Sequence, residues 1–280
     1  MDIDANKNIY IAGYCYSSDS DGLILKLNST GHEVWNATYG DASGSDSIYS
    51  IVVCGGLLYV SGQTNSWGLT SSRGFIALYS SIDGHFMWNF TWNGPNSEDT
   101  IVDLQIDRHC NIYALGSSVE PALSSMISIQ KYNSTKNLLW KVDYYGPGDV
   151  YTGALLLSPN QDRLYVTGGI DNGLMTPQDL FLFKYSSEGN LLGNWTWDYS
   201  DNDMGKNLLI DSYGNLFIIG DTLASTSGSD AFIMKANFAN SGNSPFSNPL
   251  DLFILLLILL IIMAPALTIL IFIVYKKRRK

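Results

Sequence analysis

A short segment ending in glycine occurs five times along the chain. NIYIAG (Asn8 to Gly13) recurs as LLYVSG (Leu57 to Gly62), NIYALG (Asn111 to Gly116), RLYVTG (Arg163 to Gly168) and NLFIIG (Asn215 to Gly220). The steps between closing glycines are 49, 54, 52 and 52 residues. A unit this short cannot bury its apolar face alone and must stack on its neighbours, which restricts the chain to repeat arrays. A second element follows each glycine by about ten residues: DGLILKLNSTG (Asp21 to Gly31), RGFIALYSSIDG (Arg73 to Gly84), MISIQKYNSTK (Met126 to Lys136), DLFLFKYSSEG (Asp179 to Gly189) and DAFIMKANF (Asp230 to Phe238). A third carries Trp35, Trp88 and Trp140, with Gly193 at that position in the fourth copy.

These runs are rich in β-branched and aromatic residues, are separated by Gly, Asn, Ser and Asp, and show no helical periodicity before residue 248. They read as strands, four to a unit: an inner strand such as Ile48 to Val53 or Thr100 to Ile106, the Tyr-x-x-Gly strand, the Lys strand and the Trp strand. Four antiparallel strands at this period predict an all-β fold, a β-propeller of four-stranded blades. A β-helix needs shorter coils, and a sandwich does not repeat in this way. Approximate blades are 1–47, 48–99, 100–152, 153–206 and 207–238, about four and a half in all. The first copy begins at its second strand and the last stops after its third, so Met1 is expected to fall inside a repeat of a larger ring. A five-bladed ring closing by itself would leave unpaired edges.

DSYGNLFIIGDT (Asp211 to Thr222) followed by SDAFIMK (Ser229 to Lys235) resembles the SBBP-type β-propeller repeat. The likeness covers nearly all of residues 2–238 and is looser in the second copy, where Val53-Cys54-Gly55-Gly56 replaces the Asp turn and Arg73 replaces the Asp of Asp21, Asp179 and Asp230. The resemblance implies a propeller in an extracytoplasmic protein and brings no catalytic residues.

Residues 239–251 read as a linker, and Leu252 to Tyr275 is free of charge. As a helix this run spans roughly 36 Å, against about 30 Å of bilayer hydrocarbon. Asn248 can cap it, Pro249 suits its first position, Asp251 favours its first turn, and Pro265 bends it. The basic tail Lys276, Lys277, Arg278, Arg279 and Lys280 then stays cytoplasmic, placing the propeller outside as a single-pass membrane protein. The chain's net charge is −10; without the five tail cations it is −15, so nucleic acid is not an expected partner. With 46% hydrophobic and 15% charged residues, disorder and long coiled coils are also excluded. MDIDANKNIY has no signal-peptide pattern, which supports a longer parent chain.

No catalytic, metal or cofactor-binding constellation emerges from the sequence. Asp4, Asp107 and Asp211 recur with Asn8, Asn111 and Asn215, which points to turn closure rather than calcium. His32, His85 and His109 read as surface residues. Cys15, Cys54 and Cys110 are expected to be free thiols, with Cys54 and Cys110 separated by more than the roughly 7 Å that a disulfide allows. Asn28, Asn36, Asn89, Asn133 and Asn194 begin glycosylation sequons. Long loops after the Tyr-x-x-Gly strands share a face with the connections between blades. On that acidic face Trp67, Glu120, Asp149, Met175 and Asp203 are the candidate ligand-contacting residues. The expected role is a non-enzymatic binding scaffold for an extracellular protein or glycan; the alternative is a non-catalytic stalk or fragment of a larger surface enzyme or sensor.

Overall fold

The computed structural model describes residues 1–16, 20–41, 44–94, 98–119, 125–173, 177–199, 201–224 and 228–236. The span 252–275, its linker and its tail lie outside these residues; no helix among those described is long and apolar enough to cross a membrane. Among these residues the short β-branched and aromatic runs form nineteen strands in antiparallel meanders. The first blade is β1 (Asp2–Ile3), β2 (Ile9–Tyr16), β3 (Ser20–Leu27) and β4 (Glu33–Tyr39). The second is β5 (Asp46–Cys54), β6 (Leu57–Thr64), β7 (Arg73–Ser80) and β8 (Phe86–Trp92). The third is β9 (Glu98–Ile106), β10 (Ile112–Val119), β11 (Met126–Tyr132) and β12 (Leu138–Tyr145). The fourth is β13 (Val150–Leu157), β14 (Arg163–Asp171), β15 (Gln178–Ser186) and β16 (Leu191–Trp197). The fifth is β17 (Asn202–Ile210), β18 (Leu216–Ala224) and β19 (Gly228–Ala236), joined to the fourth by one parallel bridge, Gln178 to Asn202. The short β1 pairs with β2, so the first copy does carry a stub of an inner strand, too brief for a periodic pattern to reveal.

The inner strands β5, β9, β13 and β17 each carry a bulge at the same place, skipping Tyr49, Val102, Gly153 and Lys206 in the pairing register. The motif glycine lies opposite. A Cβ on Gly62, Gly168 or Gly220 would come within 1.8, 1.9 or 2.1 Å of the carbonyl oxygen of Ser47, Tyr151 or Met204. Gly13, whose strand faces only the stub, has nothing within 4 Å. At those three positions the repeated glycine answers to a close backbone approach at the bulge, whereas a Cβ on Gly116 would meet the Trp92 ring at 2.7 Å.

The core is divided into four layers, one between each pair of successive blades. The motif tyrosines Tyr10, Tyr59, Tyr113 and Tyr165 each lie in the layer shared with the following blade. A polar latch reinforces it. Lys26 Nζ donates to Ser81 O at 2.7 Å and Lys131 Nζ to Ser187 O at 3.0 Å, while Trp35 and Trp140 donate Nε1–H to Ile82 O and Ser187 O, both at 3.1 Å. Both rings lie over a hairpin glycine, Gly84 or Gly189. At the second-to-third junction the glycine is replaced by Lys136, held at φ 68° with its ammonium 5.1 Å from the Trp88 ring centre. Each Trp strand thus anchors to the next blade, a role that sequence spacing alone did not reveal.

Candidate functional site

The inner strands and the Met1–Asp2 end enclose a channel of about 450 Å³. All four bulged residues line it, because a bulge turns a side chain out of the sheet's alternation. Asp103 ties three blades together at this wall: its carboxylate accepts from Ser50 Oγ at 2.9 Å, Leu104 N at 2.8 Å and Leu155 N at 2.9 Å. Burial pushes its carboxyl above the ordinary range even though these donors oppose the shift. Asp2 Oδ2 accepts from Val53 N at 2.7 Å in a similar link between the first two blades.

The loop face begins where the inner strands start. Asp46, Asp99 and Asp203 occupy one repeat position there, and all are fully buried. Asp46 Oδ2 accepts from Ser66 Oγ at 2.6 Å; Asp99 accepts from Ser118 Oγ at 2.7 Å and Gly94 N at 2.9 Å; Asp203 Oδ2 accepts from Tyr199 N at 2.6 Å. The residue above them decides the electrostatics. Arg73 reaches Asp99 Oδ2 at 3.1 Å, whereas Asp21 and Asp46 crowd the same spot beside Gly40. Burial, and then the charges of Asp21 and Asp41, push the Asp46 carboxyl up; burial and then Asp198 and Asp203 do the same to Asp179. Asp171 rises through burial and the neighbouring Asp149 charge. No three acidic, His or Cys groups among the described residues are placed to hold a metal ion.

Trp67 stands on this face at φ 58°, a left-handed conformation that a bulky side chain rarely adopts. Its amide donates to Asp41 Oδ2 at 2.9 Å and its ring meets Tyr39 edge-on at 5.2 Å, yet 49% of the residue remains exposed. Tyr16 and Tyr145, the last residues of β2 and β12, and Tyr199, just beyond β16, are exposed where these strands run out toward the loops, Tyr199 stacked on Trp197. The sequence reading did not single out these tyrosines, because an isolated exposed ring has no periodic signature. Asp149 is half-buried and accepts from Ser125 N at 2.7 Å. Glu120 and Met175 lie outside the described residues.

Asp4, Asp107 and Asp211 close their turns by accepting from the backbone and side-chain amides of Asn8, Asn111 and Asn215. The five sequon asparagines sit toward the outer rim. Asn36, Asn89 and Asn194 are on outer strands, and Asn28 and Asn133 accept backbone and hydroxyl donors in hairpins. Asn89 Nδ2 donates to Tyr39 OH of the preceding blade at 3.1 Å. All three cysteines are free, and Cys54 and Cys110, expected to lie far apart, are near enough for each thiol to influence the other. Blades converge toward the channel, so turns at inner-strand ends approach more closely than a count of residues between blades suggests.

No protein-family model matches the chain, and no curated protein matches it. Solved structures do. The Dos1 propeller is 14% identical, with a TM-score of 0.53, covering 88% of this chain and 57% of its own. A lignostilbene dioxygenase from Pseudomonas brassicacearum is 9% identical, with a TM-score of 0.54 and coverage of 85% and 62%. The chain thus spans less than two thirds of either neighbour. Likeness at such identity carries the fold without the activity, and one of these neighbours is an enzyme. Together with the bladed sheets and their inter-blade cores, it makes this chain a β-propeller.

Proposed function

We propose that the chain is a non-catalytic propeller that binds glycans through its loop face and is displayed outside the cell by the 252–275 span. The observation that carries this reading is Trp67, a half-exposed indole held at positive φ among carboxylates, with exposed tyrosines where strands run out toward the loops. Aromatic faces take up the apolar face of a sugar ring, and carboxylates accept from its hydroxyls. The negative charge of the body favours neutral or amino sugars over uronic or sialic acids. The resemblance of the repeat to SBBP-type units, the uncharged 24-residue run and the basic tail support the outward address.

Titration of the full chain in detergent with chitosan and mannan oligosaccharides, followed by tryptophan fluorescence, tests the reading. Saturable binding that Trp67→Ala weakens at least tenfold is expected. Unchanged binding in that variant, or none to either sugar series, refutes it, and release of shortened sugars would replace it with a catalytic function. Protease cleavage of the basic tail from outside intact cells would refute the orientation.

A further inference from the structure

Cys54 ends β5 at the two-residue turn Gly55–Gly56, whose φ values are 59° and 82°. Cys110 lies in the corresponding turn of the next blade at φ 58°, where the first, fourth and fifth blades place Lys7, Gln161 and Gly214, also at positive φ. A left-handed backbone at a non-glycine residue fixes the direction of its side chain. Here it brings Cys110 beside Cys54, with Tyr59 next to both. Cys54 also packs against the apolar layer between the second and third blades, and both cysteines remain partly accessible. Two neighbouring thiols across a blade junction, one at a strand end and one in a tight turn, are placed to pair.

We propose that Cys54 and Cys110 form a reversible disulfide that staples the second blade to the third. A thiolate of the pair attacks an external disulfide such as oxidised glutathione, expelling one glutathione thiolate and leaving a mixed disulfide. The second cysteine then attacks the protein sulfur, forming the Cys54–Cys110 bond and releasing the second glutathione. Overall two protein thiols are oxidised, the glutathione disulfide is reduced to two thiols, and hydrogen is conserved. Burial and the neighbouring Cys110 push the Cys54 thiol up, so pairing quickens as pH rises. This chemistry does not rest on the glycan reading.

The test uses the full chain in detergent with Cys15→Ser, equilibrated in oxidised glutathione, alkylated and digested with trypsin. Cleavage after Lys26, Arg73, Arg108 and Lys131 puts Cys54 and Cys110 on separate peptides, 27–73 and 109–131. The expected product is these two peptides joined, lighter by two hydrogens and separated by reduction. Closing a loop of this length should lower the unfolding equilibrium constant roughly a thousandfold relative to the reduced protein. Complete alkylation of both thiols, glutathione adducts without the internal link, or a link only between two chains overturns the proposal.

Discussion

Arg73 occupies a position that is Asp in the first, fourth and fifth copies, so a repeat-consensus argument would replace it with Asp. The structure predicts that Arg73→Asp is strongly destabilising. Asp99 beneath it is fully buried, and the Arg73 guanidinium is its cationic partner at 3.1 Å. Removing one member of a buried pair costs about 3–5 kcal/mol, and because the Arg73 side chain is 23% exposed the lower end applies, about 3 kcal/mol for Arg73→Gln. An aspartate adds repulsion of about 3 kcal/mol for charges roughly 5 Å apart at an effective dielectric constant of about 20. The total at neutral pH is therefore about 6 kcal/mol, shrinking in acid as the new carboxylate pair takes up a proton. Denaturant titration followed by tryptophan fluorescence measures it, with Arg73→Gln as the charge-removal control and Arg73→Asp/Asp99→Asn to relieve the repulsion. If Arg73→Asp lies within about 1 kcal/mol of Arg73→Gln, or if the second substitution recovers nothing, the electrostatic account of this junction is wrong.

The motif glycines provide an internal comparison. Gly168→Ala should cost roughly 3 kcal/mol through its clash with the Tyr151 carbonyl, while Gly13→Ala, with open space around it, should change stability by less than about 0.5 kcal/mol; equal effects would remove the bulge from the explanation. At the hairpin where Lys136 replaces glycine, Lys136→Ala should lose about 0.5–1 kcal/mol of contact with Trp88 without relieving the backbone. Lys136→Gly should recover it by removing about 1 kcal/mol of left-handed strain, which thermal melts of the pair can check. Asp46, Asp171 and Asp179 have carboxyls raised above their unfolded values, so their stabilising contribution is complete below the ordinary carboxylate pKa and is lost as pH rises through the folded values. Asp4 and Asp211 are lowered and act in the opposite sense, their contribution being lost as pH falls. Asp46→Asn should therefore flatten the decline in stability as pH rises above the ordinary carboxylate range, and an unchanged slope would count against a raised Asp46.

The four-strand order of the repeat, the turn aspartates and the stacking of repeated units were legible in the letters, because each depends on local chemistry: β-branched and aromatic runs, tight turns and side-chain caps recurring at one period. What lay beyond reach depends on neighbours distant in sequence. The glycine of Tyr-x-x-Gly reads as punctuation until a bulged strand is laid across it, and tryptophans that mark a strand prove to be anchors for the following blade. Arg73 looks like drift until Asp99 is found beneath it, and two cysteines 56 positions apart look remote until the narrowing of blades toward the channel brings their turns together. Sequence alone set the periodic, short-range structure. The ring's curvature decided which charges, rings and thiols meet, because radial packing converts a fixed repeat into contacts that no single repeat contains.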